Sequence, residues 1–140
     1  MSLTLFQAVV SVGCMKKGRV FIVGAARTPI GSFMGKLSSM SAPQLGAIAI
    51  KEAVRRTNVH PEGVQEVIMG MVLTGGAGQA PARQAAIFAG LPKGVPCTTV
   101  NKVCGSGLKA VMLATSQIQN GECDVWLSGF GQPSSAGLFG

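Results

Sequence analysis

The sequence has no tyrosine, one tryptophan, one histidine and five acidic residues among its 140, and each scarcity narrows what the chain can do. With so few aromatic side chains to stack on bases, and twelve basic residues spread along the chain rather than gathered in a patch, the net charge of +7 fits nucleic acid poorly. No run approaches the roughly 18 consecutive apolar residues that a membrane-spanning helix requires, so no span is expected. The four cysteines, Cys14, Cys97, Cys104 and Cys123, show neither Cys-x-x-Cys spacing nor a dense disulfide framework, and with His60 the only histidine, a structural metal is not expected. Charged residues make up 12% of the chain, against about 25% in average proteins. That leaves little polar surface to cover 47% apolar residues. Some apolar surface is therefore expected to face another layer, another subunit or further sequence.

The acidic residues are also unevenly placed, since none precedes Glu52. At the N-terminus an apolar stretch, Leu3 to Val12, comes before Lys16, Lys17 and Arg19, the reverse of the order in a secretory signal. Export is not expected, whereas a mitochondrial or a cytoplasmic location fits, the first because acids are missing from this segment. Residues 1–19 read as an N-terminal extension with weak targeting character, residues 20–131 as one domain, and residues 132–140 as a divergent tail.

What the sequence does contain, from residue 20 on, is an alternation of strand and helix patterns. Val20–Val23 reads as a buried strand, Ala42–Arg56 as a helix stopped near Asn58 and Pro61, and Glu66–Leu73 as a second strand. After the loop Gly75–Gly78, a helix runs from Pro81, well placed in a first turn, to Ala89 before Gly90. Val95–Val100 is the third strand, a further helix follows Cys104, and Asp124–Leu127 is the fourth strand. Strands separated by helices predict an α/β fold with a mostly parallel sheet covered by helices. Gly75–Gly78 lacks the Gly-Lys-Ser/Thr ending of a phosphate-binding loop, and Gly105-Ser106-Gly107 lacks the third glycine of a dinucleotide fingerprint. Neither supports nucleotide hydrolysis or NAD. His60 reads as exposed loop, Cys97 as an inert strand residue, and Arg83 as a structural or interface residue.

The most informative stretch is Asn101-Lys102-Val103-Cys104-Gly105-Ser106-Gly107, which sets a cysteine between a β-branched run and a helix whose apolar positions Leu108, Val111, Met112, Thr115 and Ile118 recur at helical spacing. The first N–H groups of such a helix lack intrahelical partners and present positive potential, which favours a thiolate over a thiol. The same groups can hold the oxyanion that forms when a thioester carbonyl is attacked. Gly105 and Gly107, without Cβ atoms, let an acyl group and the backbone approach closely. On these residues alone Cys104 is either a nucleophile or, like most free cysteines, a small buried hydrophobe.

The wording of that stretch resembles the active-cysteine signature of the thiolases. Two more segments resemble the same family in the same order: Val23-Gly24-Ala25-Ala26-Arg27-Thr28-Pro29-Ile30-Gly31-Ser32-Phe33, like its opening strand and loop, and Gly78-Gln79-Ala80-Pro81-Ala82-Arg83-Gln84-Ala85, like the segment before its second helix. The resemblance covers about residues 20 to 129 and is strongest to the branch acting on acetyl and acetoacetyl thioesters. It implies the N-terminal half of a thiolase-like fold, incomplete here, and an acyl-CoA acyltransferase in which Cys104 is the catalytic residue. Coenzyme A thioesters would be substrates, with no further cofactor, and the full-length family implies a homo-oligomer, a dimer or tetramer. After Gly129 the pattern departs, with Phe130-Gly131-Gln132-Pro133-Ser134-Ser135 where the family continues Gly-Gly and a Glu-Ser-Met-Ser type stretch. The family's activating histidine and second cysteine, expected later in the sequence, are not matched, so the chain reads as a fragment expected to be inactive alone. The alternatives are a noncatalytic fragment that associates with thiolase subunits, and another condensing enzyme of this fold.

Overall fold

The computed structural model describes residues 6–14, 19–32 and 34–131. The divergent tail read over 132–140 lies outside the described residues, as does Phe33. One mixed sheet of five strands runs in the order β2-β1-β5-β3-β4, with β1 at Phe6–Cys14, β2 at Arg19–Arg27, β3 at Glu66–Met71, β4 at Cys97–Val100 and β5 at Val125–Gly131. The three strands β5, β3 and β4 are parallel, and β1 is antiparallel to both β2 and β5.

Three helices cover the sheet. α1 spans Ala42–Arg55, α2 Pro81–Phe88 and α3 Ser106–Gln119. α1 begins in a capping box, in which Ser41 Oγ accepts from Gln44 N–H at 3.4 Å and Gln44 Oε1 accepts from Ser41 N–H at 2.8 Å. Its buried residues, among them Leu45, Ile50 and Val54, meet Val67, Met69, Met71 and Leu127 from the sheet and Ala82, Ala85 and Ala86 from α2. On the opposite face Ala110, Ala114 and Ile118 of α3 pack on Ile68 and Trp126. Strand side chains alternate between faces, so β3 and β5 are buried on both sides, as parallel strands under two helical layers must be.

The order of helices and parallel strands agrees with the sequence reading, but the strand read as buried at Val20–Val23 is the outer strand β2, with Phe21, Ile22 and Val23 exposed, and two further features differ. The stretch read as an N-terminal extension supplies β1, which pairs with two neighbours at the middle of the sheet and buries Ala8 and Val10 completely. Its valines carry strand propensity, but a single apolar run followed by cations does not reveal a pairing partner at the other end of the chain. The second difference is the face of α3. Of the periodic residues Leu108, Val111, Met112, Thr115 and Ile118, only Ile118 is buried, while Leu108 and Met112 are exposed. The helix instead lays its small residues, Ser106, Ala110 and Ala114, against the sheet. Closeness rather than bulk decided which face is buried.

Candidate active site

Because β3 and β4 are parallel, the segments that follow them emerge at the same edge of the sheet. The loop around Gly75–Gly78 follows β3 and Cys104 follows β4, so the two share that edge. His60 precedes β3 and lies at the other one, exposed, where its Nδ1 accepts from Glu62 N–H at 3.4 Å to start a 3₁₀ turn at Pro61–Gly63. The fold thus brings the glycine loop towards Cys104 and keeps the one histidine away from it.

The loop is tied down by α2. Gln84 Nε2 donates to Ala77 O at 2.9 Å and to Gln79 O at 2.8 Å. Gly78, at φ 74°, takes the left-handed backbone that the turn requires. α2 in turn is pinned to β4 by Ala82 N–H, which donates to Thr99 Oγ1 at 3.2 Å. Arg83 donates to Lys93 O at 2.9 Å across the loop that leads to β4, a structural contact.

Cys104 is exposed, two residues ahead of the first residue of α3, whose N-cap is Gly105. The chain reaches it through Val103, at φ 47° one of only three non-glycine residues with positive φ among the described residues. For a β-branched residue this is a rare and costly conformation. It is held by side chains on both sides: Asn101 Oδ1 accepts from Val103 N–H at 2.9 Å, and Ser106 Oγ donates to Val103 O at 2.6 Å while accepting from Lys102 N–H at 2.9 Å. Asn101 Nδ2 also donates to Val72 O at 3.1 Å, fastening the turn to the end of β3. The amides of Gly105 and Ser106 bond back to Lys102 O and Val103 O, and Lys109 N–H bonds to Gly105 O. The amides of Gly107 and Leu108 are left without partners among the described residues, and a helix start in that state favours an anion.

Two glycines allow α3 to begin so close to the sheet. A Cβ on Gly70 of β3 would lie 2.6 Å from the Ser106 carbonyl carbon, and one on Gly107 would lie 2.7 Å from Phe130 Cβ of β5. The freedom at Gly107 therefore serves contact between helix and sheet. Asn101, Ser106 and Gly70 carry no candidate role in the sequence reading. A glycine inside an otherwise apolar strand was the signal available for Gly70, since it marks a close backbone approach.

The other described cysteines sit differently. Cys97 opens β4 partly buried, and burial raises its thiol pKa. Cys123 is likewise partly buried, and burial, followed by the charge of Glu66, raises its thiol. Among the described residues no group of His, Cys, Asp and Glu is arranged to hold a metal, and no helix is long and apolar enough to cross a membrane.

The family described as Thiolase, N-terminal domain, matches residues 20–133. An acetyl-CoA acetyltransferase from Cupriavidus necator is 58% identical over 117 residues, covering 84% of this chain and 30% of that protein. A mitochondrial acetyl-CoA acetyltransferase from Bos taurus is 54% identical over 110 residues, 79% of this chain and 26% of its own length. A cytosolic one from Gibberella zeae is 56% identical over 110 residues, again 79% of this chain and 28% of its own. Among solved structures, the Acat5 thiolase from Ascaris suum in complex with coenzyme A superimposes with a TM-score of 0.71 at 38% identity, over 82% of this chain and 28% of that one. The chain thus spans less than a third of the length of each.

Proposed function

The chain belongs to the thiolase family, and from that premise we propose that it carries the nucleophile of an acetyl-CoA acetyltransferase, with Cys104 as the catalytic residue. The observation that bears the reading is an exposed cysteine beside unpartnered first-turn amides at the start of α3, within the segment that matches the family. In the first step a base takes the thiol proton, and the Cys104 sulfur bonds to the carbonyl carbon of an acyl-CoA. The bond from that carbon to the coenzyme A sulfur then breaks, and coenzyme A leaves as a thiolate that takes up a proton. In the second step the acyl group passes from Cys104 to coenzyme A or to the carbanion of a second acetyl-CoA, which frees the cysteine.

Positive potential at a helix start supports the oxyanion of each tetrahedral intermediate. A polypeptide of these 140 residues has one histidine, at the far edge of the sheet, so the base would have to come from elsewhere. Coenzyme A thioesters are the proposed substrates, and a homo-oligomer is the proposed assembly. A mitochondrial and a cytosolic location are both consistent with the named relatives.

The test is to incubate this polypeptide with acetyl-CoA and map the acetylated peptides by mass spectrometry. Acetyl on Cys104, lost in Cys104→Ser, is expected, without measurable thiolysis of acetoacetyl-CoA, because a nucleophile separated from its base loses most of the rate. Acetyl on Cys97 with Cys104 untouched overturns the assignment. A second reading, a noncatalytic chain that associates with thiolase subunits, is favoured by the exposed Phe21, Ile22 and Val23 on the outer strand β2.

A further inference from the structure

We propose that Ser106 is a positioning residue for Cys104, its hydroxyl holding Val103 in the left-handed conformation from which the cysteine is presented at the sheet edge. The proposal rests on the reading of Cys104 as nucleophile and adds the device that aims it. Ser106 is the first residue of α3, so its hydroxyl would ordinarily be available to solvent or to the helix end. Here it is fully buried, and the N-cap of the helix is Gly105, with no side-chain cap. Both of its hydrogen bonds run backwards into the turn before the helix, to Lys102 N–H and Val103 O. The hydroxyl therefore acts on the turn and not on the helix.

What it acts on is the unfavourable part of the turn. A valine at φ 47° returns to ordinary extended or helical backbone unless its flanking peptide groups are held. Asn101 holds the N–H of Val103 and Ser106 holds its carbonyl, the group that joins directly to Cys104. Ser106 can lie this close to the sheet only because Gly70 has no side chain, since a Cβ there would come within 2.8 Å of Ser106 Cβ.

The experiment uses the full chain and reads the ratio of the iodoacetamide labelling rates of Cys104 and Cys97, by peptide mapping across a pH series, with a thermal melt on each variant. Ser106→Ala is expected to lower the Cys104 rate relative to Cys97 by roughly fivefold, the size of a lost hydrogen bond. In Val103→Gly the left-handed backbone costs little, so adding Ser106→Ala to it is expected to leave the ratio within about twofold of Val103→Gly alone. A purely structural serine would instead lower the melting temperature and shift both cysteines together. A folded Ser106→Ala with an unchanged ratio overturns the proposal, and so does a loss of equal size when Ser106→Ala is added to Val103→Gly. If Ser106→Ala does not fold, the double variant carries the test, and its failure to fold or to label as Val103→Gly does is likewise contrary. Acetyl capture by the wild type is scored separately. A serine-dependent labelling ratio without capture overturns the acyl-enzyme reading and leaves the positioning role standing.

Discussion

Among the described cysteines, environment separates one thiol from two others that share its chemistry. Cys97 and Cys123 are partly buried and have raised thiol pKa values, so at neutral pH they offer little of the thiolate that reacts with alkylating reagents. Cys104 is exposed at a helix start. Limited iodoacetamide treatment of the folded chain is expected to label Cys104 well ahead of Cys97 and Cys123, and peptide mapping that finds Cys97 or Cys123 labelled first contradicts this. The placement of Cys104 between a strand and a helix was legible in the sequence because a β-branched run, a cysteine and a small-residue helix start form a local pattern. The turn that holds it was less so. The positive φ of Val103 and the bonds made by Asn101 and Ser106 depend on the end of β3, about thirty residues away in sequence, and a local pattern does not encode that neighbour.

Helices and strands were largely legible because their boundaries carry local signals, such as Ser41 and Gln44 at the start of α1 and Pro81 at the start of α2. The buried face of α3 was not, because apolar periodicity ranks residues by bulk whereas this helix lays Ser106 against the strand glycine Gly70 and Ala110 and Ala114 against Ile68 and Trp126. Gly70→Ala is accordingly expected to destabilise the fold by about 1–3 kcal/mol or more, since the added Cβ meets backbone that cannot rotate away. Gly107→Ala is expected to cost a similar amount, since its Cβ would meet Phe130 Cβ, which the backbone of β5 holds in place. Gly94→Ala, with open space around it, serves as the neutral control in the same thermal melts. A second prediction concerns the end of α1. Glu52 accepts from Arg55 Nε and Arg56 Nε, both at 2.7 Å, and Arg56 also donates to Ala25 O of β2 at 2.9 Å. Hydrogen bonds from Arg55 first and Arg56 second bring the Glu52 pKa from 4.5 to about 2. A depressed carboxylate contributes stability above its unfolded pKa and loses it as pH falls through the folded one, here between 4.5 and about 2. Glu52→Gln is expected to show a smaller loss of thermal stability across that window than the wild type, and an unchanged acid profile refutes the link.

For the molecule as a whole, the low charge content noted in the sequence corresponds to particular exposed groups. Phe21, Ile22 and Val23 are 47%, 61% and 45% exposed on β2, whose outer edge has no strand partner among the described residues, and Leu108 and Met112 stand on the outer side of α3. Contiguous exposed apolar surface and an open strand edge both promote association. A polypeptide of these residues is expected to self-associate with rising concentration and to bind an apolar dye. Light scattering that shows a monodisperse monomer at tens of micromolar, without bound dye, contradicts this. The central placement of β1 has a further consequence, for the order in which the chain acquires its structure. Its pairing with β2 is nearly local, but its pairing with β5 joins Phe6 to Gly131 and Val12 to Val125. During synthesis the hairpin of β1 and β2 must therefore wait, one edge unfilled, until roughly a hundred further residues have emerged, and a two-stranded hairpin alone is at best marginally stable. Long-range pairing of this kind slows folding. Until β5 arrives, a nascent chain of this protein leaves one edge of an apolar strand unpaired.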